Sequence, residues 1–486
     1  MDILFINPNQ MQPPVAPLAI DYLGQAIQRN GISLTVADLC LEYPDAPDVP
    51  TSFWRQCVSH PPSAILLTMR NLDDAYYASQ ETFLFSYRSL VKGLRMVFDV
   101  PILVGGCGFS ISPEQILSFI GADFGVTGAA ETDLVRVLES LDSPDQYPCL
   151  PGLVWKDGKT FRSNPPSFPI LQTDFFSDRD SVQNRYYFQE GGMVGLETKR
   201  GCSCTCRYCA DLIAKGKRVF TKPLAFLLKE IESLLDMGIT VFHLCDSEFN
   251  LPGEHAFQVC KAIKDAGLSH RIRWYTYATP QGFDESLAFE MAEAGCVGIN
   301  FGVDHCRPEI LAALGRQHRE ADLSRTAKAA RRAGLTFLFD LLLGGPGETR
   351  QTMREVIELC QALAIPRVGT PVGIRIYPNT PLAEEIKGQG TFGRNPHLRG
   401  VLENNEDLLL PLFYVSAELG NEWESFLGSL VGDDVRFFFP LREKQTSNYN
   451  YNANLVLTEA IRKGHKGAFW DILRRVQEGL PPLQVS

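Results

Sequence analysis

The chain has 486 residues, 45% hydrophobic and 21% charged, with 46 basic against 57 acidic residues and a net charge of -11. That composition excludes a largely disordered chain, and the length allows about three ordinary domains, or one small domain beside a large α/β barrel. No apolar run approaches the roughly 20 residues needed to cross a bilayer (Leu408–Val415 is short and interrupted by Pro411), and the negative charge argues against nucleic acid as a partner.

The opening MDILFINPNQ lacks the basic-then-apolar layout of a signal peptide, so a cytoplasmic protein is expected. Asp2–Asn7 reads as a buried strand, Pro17–Asn30 as an amphipathic helix closed by Gly31, and Ser33–Asp38 as the next strand. Ala64–Met69, Pro101–Gly105 and Phe124–Thr127 follow, with a helix in SPEQILSFIG. Apolar strands separated by helices imply a parallel sheet covered on both faces, which binds ligands beyond its strand C-termini. In residues 141–190, PGLVWKDGKTF predicts a hairpin turning at Asp157-Gly158 inside a connector. A second run then places strands at Met193–Thr198, Thr240–Cys245, Ile272–Tyr277, Val297–Val303, Phe337–Leu342 and Val372–Tyr377, with amphipathic helices between them. Six β/α units imply an open, partial barrel. The tail loosens into aromatic loops and ends in a helix around Asn454–Glu478.

Of the 13 cysteines, nine are scattered and read as small buried apolar residues; Cys202, Cys204, Cys206 and Cys209 crowd into eight positions. Cys202, Cys206 and Cys209 have the spacing C-x3-C-x2-C on a loop after the first strand of the second run, where barrel active sites are built. Three thiolates on a short loop can hold three irons of a 4Fe–4S cluster and leave the fourth open. The alternatives are inert thiols or a structural zinc site using all four cysteines. Zinc ligands usually come as two paired knuckles, and no second pair is present; Cys204 is expected to point away.

This loop, with Tyr208 before its last cysteine, resembles that of the radical S-adenosylmethionine (SAM) superfamily. The resemblance implies that Cys202, Cys206 and Cys209 ligate the cluster and that SAM chelates the open iron. It runs on through LCDSEFN (Leu244–Asn250), GINFGVDHCRPEIL, LGGPGET and RIYPNTPLAEE. It places Tyr208, Asp246, Ser247, Glu248, Asn250 and Tyr377 at cofactors, with Glu248 on the SAM ammonium. Asp304 and His305 depart from the usual fourth-strand pattern, and Asn379 stands where glycine is commoner.

NPNQMQPPVAPLAIDYL, VGGCGFSISPEQIL and GVTGAAE resemble, in order, the cobalamin-binding domain of the cobalamin-dependent radical SAM class. The resemblance implies cofactor contacts from Thr68, Arg70, Asn71, Gly105, Gly106, Gly108, Phe109, Gly128 and Glu131, the glycines letting backbone approach the corrin and its nucleotide tail. The D-x-H-x-x-G motif that supplies a lower cobalt ligand elsewhere is absent. Arg70 stays protonated, so it could exclude such a ligand and favour giving up a methyl group.

The expected organisation is α/β throughout: a Rossmann-like cobalamin-binding domain (1–140), a connector with hairpin (141–190), a partial (β/α)6 radical SAM barrel (191–384), and a mixed, mainly helical substrate-shaping region (385–486). The resemblance implies a methyltransferase that passes a methyl group from SAM via methylcobalamin to a carbon or phosphorus of a small metabolite, aromatic or an antibiotic precursor. Arg70, Tyr449 and Tyr451 are the candidate catalytic residues, and a flavodoxin or ferredoxin the candidate electron donor. Asn448, Asn450 and Tyr414 are further substrate candidates in the Asn/Tyr-rich tail, where no RNA-binding appendage is apparent. Rival readings are a cyclase or rearrangement enzyme with the same cofactors, an enzyme using its first domain only as scaffold, and a non-catalytic cobalamin or iron sensor.

Overall fold

The computed structural model describes residues 1–44, 49–167, 177–438 and 451–483. The first unit carries five parallel strands, β1 (Asp2–Asn7), β2 (Ser33–Asp38), β3 (Ala64–Thr68), β4 (Ile102–Gly105) and β5 (Phe124–Val126). The hairpin β6 (Leu153–Asp157) and β7 (Thr160–Ser163) adds antiparallel, giving the order β2-β1-β3-β4-β5-β6-β7. The period-2 pattern of these strands feeds two cores: Leu4, Ile6, Ile65, Leu67 and Val104 on one face, Ile3, Phe5, Leu66, Leu103 and Val126 on the other. The hairpin is not a free connector. It gives Val154 to the first core and Leu153 and Trp155 to the second, so pairing with β5 buries both of its faces.

The second unit begins with β8 (Val194–Leu196), followed by a two-residue ladder of β9 (Lys199–Arg200) with β10 (Phe220–Thr221) that flanks the cysteine loop. The barrel strands continue as β11 (Val241–Leu244), β12 (Arg273–Ala278), β13 (Cys296–Asp304), β14 (Thr336–Leu341) and β15 (Arg367–Gly369). All are parallel to their neighbours.

The sixth barrel strand is therefore β15, not Val372–Tyr377. Its sequence hides behind Arg367, which is 1% exposed, donates to the Val435 carbonyl at 2.5 Å and lies over the Phe438 ring. After Pro371 and Gly373 the chain turns away, and β16 (Ile374–Arg375), β17 (Leu398–Gly400) and β18 (Leu412–Tyr414) make a separate antiparallel sheet. A last strand, β19 (Phe437–Phe438), joins β15 in parallel.

The C-terminal helix is two helices, Leu455–Arg462 and Phe469–Gln477. Gly464 (φ 97°) and Gly467 (φ 129°) take backbone angles that a continuous helix cannot accommodate. The barrel strands again sort by alternation. Val194, Leu196, Phe242, Trp274, Ile299, Phe301, Phe337 and Phe339 belong to the large core under the outer helices. The other face begins with Val241, Tyr275, Leu338 and Phe438, packed on the two C-terminal helices, and Tyr275 donates to Asp471 Oδ2 at 2.7 Å. These helices thus make an apolar floor inside the partial barrel. Above it the inward positions are His243, Tyr277, Asn300 and Asp340, two residues further along each strand. None of the described helices is long and apolar enough to cross a membrane.

Candidate active site

The cysteine loop leaves the end of β9 through Gly201, whose φ is 86° and whose Cβ, if present, would lie 2.0 Å from the Arg218 carbonyl oxygen. Only glycine allows the two passes of chain to close there. Cys202 N–H donates to the Gly216 carbonyl at 3.1 Å, Arg207 N–H to the Leu314 carbonyl at 2.9 Å, and Leu382 N–H to the Arg207 carbonyl at 3.0 Å. The loop is thereby pinned to elements after the fourth and sixth strands.

Cys206 is buried, and Cys202 and Cys209 are half-buried. Arg316 Nη1 donates to Cys206 Sγ at 3.3 Å, a fixed positive charge beside one sulfur. Burial pushes the Cys209 thiol up to about 12 and also raises Cys206, where Arg316 works in the opposite direction. Cys204 does not point away as expected: it lies close enough to Cys202 to act on it, holding the Cys202 thiol down at about 6 while Cys204 itself is raised.

In the segment after β11, Asp246 spends its carboxylate on the loop itself. Oδ1 accepts from Thr198 N–H at 2.9 Å and Lys199 N–H at 3.2 Å, and Oδ2 from the Thr198 hydroxyl. Asn250 likewise ties strand ends together, donating to the carbonyls of Thr279 and Gln281 and accepting from Thr279 N–H at 3.0 Å. Ser247 donates to Asp211 Oδ2 at 2.8 Å, and Lys215 bonds to the same oxygen at 2.8 Å. Glu248 is the carboxylate left facing inward. Burial raises it to about 7, partly offset by Arg316 at 3.5 Å. Arg316 also lies 3.5 Å from Asp304, to which Tyr208 donates at 2.6 Å. Asp304 (φ 58°) sits at a register break in β13, so the unusual residue of the fourth-strand motif is part of this cluster. The sequence pattern missed Arg316, because its only signal is a position just after Gly315 at the end of helix Pro308–Leu314.

The first unit presents its C-terminal strand ends to the same region. Arg70 is exposed, with Nη1 3.8 Å from Met11 Sδ, and its charge depresses His243 and opposes the rise of the Tyr277, Cys245 and Tyr451 groups. Arg70 and the inner wall of the barrel therefore face one cleft, with Tyr451 joining from the C-terminal region. Tyr277 is 44% exposed, yet its phenol is raised chiefly by surrounding protein, so its open face looks into an enclosed space. Beneath Arg70 a cavity of ≈ 470 Å³ is lined by Asn9, Met11, Trp54, Arg70, Asn71 and Tyr87. A larger trough of ≈ 900 Å³, against Pro101, Ala122 and Trp155, lies at the other end of the sheet, away from this chemistry.

Several expected contacts are taken up by the protein itself. A Cβ on Gly106 would lie 2.5 Å from the Met69 carbonyl oxygen, and one on Gly108 2.8 Å from the Asn71 backbone, so these glycines seat the Arg70 loop. The Gly105 position meets the Val126 carbonyl at 3.3 Å. Gly128 donates its N–H to Ser110 Oγ at 3.1 Å. Phe109 is fully buried against Gly125 and is a core residue rather than a cofactor contact. Thr68 is 9% exposed, its carbonyl accepting from the Tyr87 hydroxyl at 2.6 Å. Tyr449, with Asn448 and Asn450, lies outside the described residues.

Two other expected contacts join the units. Glu131 pairs with Arg200 at 2.5 Å, and Arg200 also takes Glu197 at 2.7 Å. Asp73, 2% exposed, accepts from Arg375 Nε at 2.7 Å and from the Tyr377 hydroxyl at 2.9 Å; Arg375 further donates to the carbonyls of Leu408 and Leu409 at 3.1 Å. Leu409 itself packs into a core of the first unit.

Thiols on one loop with a guanidinium against one sulfur suit an anionic iron–sulfur cluster. A polar and aromatic cavity opening below Arg70 suits a large cofactor with a nucleotide-like appendage. Comparison with known proteins agrees. Residues 196–360 match the radical SAM superfamily model. The tryptophan 2-C-methyltransferase of Streptomyces laurentii is 28% identical, over 96% of this chain and 95% of that protein. The structure of the radical S-adenosylmethionine methyltransferase TsrM from Kitasatospora setae, with tryptophan substrate and a SAM analogue bound, superposes with a TM-score of 0.90 at 28% identity over 98% of both chains. A second structure of that enzyme, with cobalamin and a [4Fe-4S] cluster bound, gives a TM-score of 0.87 at 27% identity over 98% of both. The motif loop, the two facing α/β units and a likeness that spans nearly the whole length make residues 196–360 similar to the radical SAM superfamily and the chain as a whole similar to a radical SAM methyltransferase whose structures hold cobalamin and a [4Fe-4S] cluster.

Proposed function

We propose that this chain is a cobalamin-dependent radical SAM methyltransferase that moves a methyl group from SAM, by way of cobalamin, to a carbon of a small aromatic metabolite. The observation that carries this reading is that Arg70 of the first unit and Lys215 beside the cysteine loop both act on His243 of the barrel's inner wall, in a chain alike to a tryptophan methyltransferase over nearly its full length. When bound, the cluster supplies an open iron and electrons, and the corrin supplies a carrier for the methyl group.

The chain's own residues do the rest. Cys202, Cys206 and Cys209 hold the cluster, and Arg316 balances its charge at Cys206. Glu248 takes the SAM ammonium: burial raises its carboxyl, and an arriving cation favours the ionised form. Ser247, held by Asp211 and Lys215, lines the same pocket, and Tyr208 fixes Asp304 and hence Arg316. Asp246 and Asn250 keep the strand ends in register. Arg70 would line the corrin's site and, having no lone pair to give, would not serve as a ligand to its metal. The aromatic wall and the apolar floor exclude water from the space between. A flavodoxin or ferredoxin is the donor that keeps the metal centres reduced.

The test is anaerobic reconstitution with iron, sulfide and cobalamin, followed by incubation with methyl-labelled SAM and indole-containing acceptors. Label recovered on carbon of the acceptor is the expected result. A chain that takes up only zinc, or shows no corrin absorbance, overturns the reading.

A further inference from the structure

The last residue of β13, Asp304, and its neighbour His305 send their side chains to different partners. Asp304 reaches Arg316 and Tyr208 at the cysteine loop. His305 is fully buried, and its Nδ1 accepts from Arg307 N–H at 3.0 Å. An imidazole nitrogen that accepts carries no proton, so the neutral ring holds its hydrogen on Nε2. That Nε2 lies 3.5 Å from Glu348 Oε1, and neither atom has another hydrogen-bond partner among the described residues. A buried donor and a buried acceptor with no one else to serve satisfy each other.

The second oxygen of Glu348 is already engaged. Oε2 accepts from the N–H groups of Gly344 at 2.6 Å and Gly345 at 3.1 Å, closing the LGGPGET turn on its own carboxylate. That turn packs on helix Pro308–Leu314: a Cβ on Gly345 would lie 3.5 Å from Leu314 Cδ2, and one on Gly347 3.6 Å from Ile310 Cδ1. The end of the same helix seats the cysteine loop, the carbonyls of Leu314 and Gly315 accepting from Arg207 N–H at 2.9 Å and from the Thr205 hydroxyl at 3.1 Å. It also carries Arg316, whose N–H donates to the Leu311 carbonyl at 2.8 Å and whose guanidinium serves Cys206 and Glu248. Tyr208 packs against the cluster that contains Ile310 and Leu314. Close-packed side chains have little slack, so a shift at Glu348 is passed along this helix to the loop.

From these contacts we propose that His305 is a positioning residue for the cluster site. Through Glu348 and the glycine turn it fixes helix Pro308–Leu314, and with it the cysteine loop and the guanidinium shared by Cys206 and Glu248. Asp304 braces the same loop from the cleft, so two adjacent residues hold it by separate routes. With no exposed surface, His305 touches no ligand and acts only through other groups. The inference rests on the methyltransferase reading above and deepens it by naming what holds the SAM side of that site in place.

The experiment compares His305→Gln with His305→Asn in anaerobic holoenzyme loaded with cluster and cobalamin. A glutamine amide nitrogen stands where Nε2 does and can donate to Glu348, but it gives up the acceptor for Arg307 N–H. An asparagine oxygen stands where Nδ1 does and keeps that turn, but its amide falls short of Glu348. SAM binding is followed by calorimetry, beside iron content, corrin content and the denaturation midpoint. His305→Gln should bind SAM within about threefold of wild type and His305→Asn at least about tenfold more weakly at unchanged iron and corrin, the scale on which losing a group that orients a metal ligand acts. The reverse order makes His305 only the cap of its own turn and overturns the inference, as does equal binding by the two variants. Should His305→Asn fail to fold, Glu348→Gln takes its place: the remaining oxygen keeps the glycine N–H groups, the amide meets Nε2–H donor to donor, and wild-type SAM affinity there overturns the inference. Failure of the wild type to assemble cluster and corrin overturns instead the reading on which it rests.

Discussion

At the seam between the two units Asp73, Arg375 and Tyr377 satisfy one another in full, whereas on the inner wall of the barrel His243, Tyr277, Asn300 and Asp340 line an enclosed space. The seam continues through Glu131–Arg200–Glu197 and Lys222–Glu230, ion-paired and mostly out of water. Charges buried in complete pairs fix how two bodies sit together and leave nothing for a ligand to bind. Polar groups arranged on a wall, with an acceptor such as Asn300 Oδ1 unused, describe the ligand instead. Tyr377 and Glu131, both expected at cofactors, belong to the first kind; Glu248 belongs to the second.

The sharpest way to break the comparison is to remove the metal from the open side. Cys202→Ala, Cys206→Ala or Cys209→Ala should each abolish cluster assembly and reduce label transfer from SAM below detection, while leaving the far-UV spectrum intact. Cys204→Ala should retain the iron and the activity; loss of iron from that variant would mean that Cys204, through its contact with Cys202, is a ligand. Next in size is the sealed side. Asp73→Asn leaves Arg375 buried against carbonyl oxygens without its counter-charge, and the expected cost is about 3–5 kcal/mol, read as a lower denaturation midpoint. Methyl transfer should fall with it even in variant protein that retains both cofactors, because the Arg70 loop loses its anchor three residues away.

Much of this was legible beforehand. β1 and β2 match their expected spans because uninterrupted apolar runs between turn residues have little freedom to be anything else, and the cysteine loop lies after the first strand of the second run, where its sequence position put it. The sixth strand was not legible, since its buried Arg367 reads as a surface residue until Phe438 and the Val435 carbonyl are brought to it by a distant segment. The glycines of GGCGFS were read as room for a ligand, but the room at Gly106 and Gly108 is filled by Met69 and Asn71, a contact between loops that no local pattern encodes. Asn379 illustrates the reverse. Standing where glycine is commoner, it adopts φ 62°, which asparagine tolerates, and its side-chain amide donates to the Ile111 carbonyl of the first unit at 2.9 Å.

The open wall also has a signature in pH. His243 is held near 4 in the folded chain against about 6.5 when unfolded, so between those values the unfolded state binds a proton that the folded state does not. Stability should therefore fall as pH is lowered across that window, by at most about 3 kcal/mol and less to the extent that water in the cleft screens the ring. His243→Gln should flatten this part of the profile in a urea series at pH 4, 5, 6 and 7. An unchanged slope would place His243 outside the enclosed wall.

The smallest expected effect separates the two kinds of polar group most cleanly. Tyr377→Phe deletes one donor to Asp73 while Arg375 keeps the charge compensated, so the loss should be about 1 kcal/mol, the ordinary net worth of one hydrogen bond. The ring remains under the Arg375 guanidinium, 4.7 Å from its centroid, so packing is preserved. If Tyr377 serves only the seam, the variant should bind SAM and cobalamin as wild type does and keep its KM for both SAM and acceptor. A KM for SAM raised tenfold without a matching loss of stability would instead return Tyr377 to the cofactor pocket, and the boundary between sealed and open sides would have to be drawn on its other flank, between Tyr377 and Arg375.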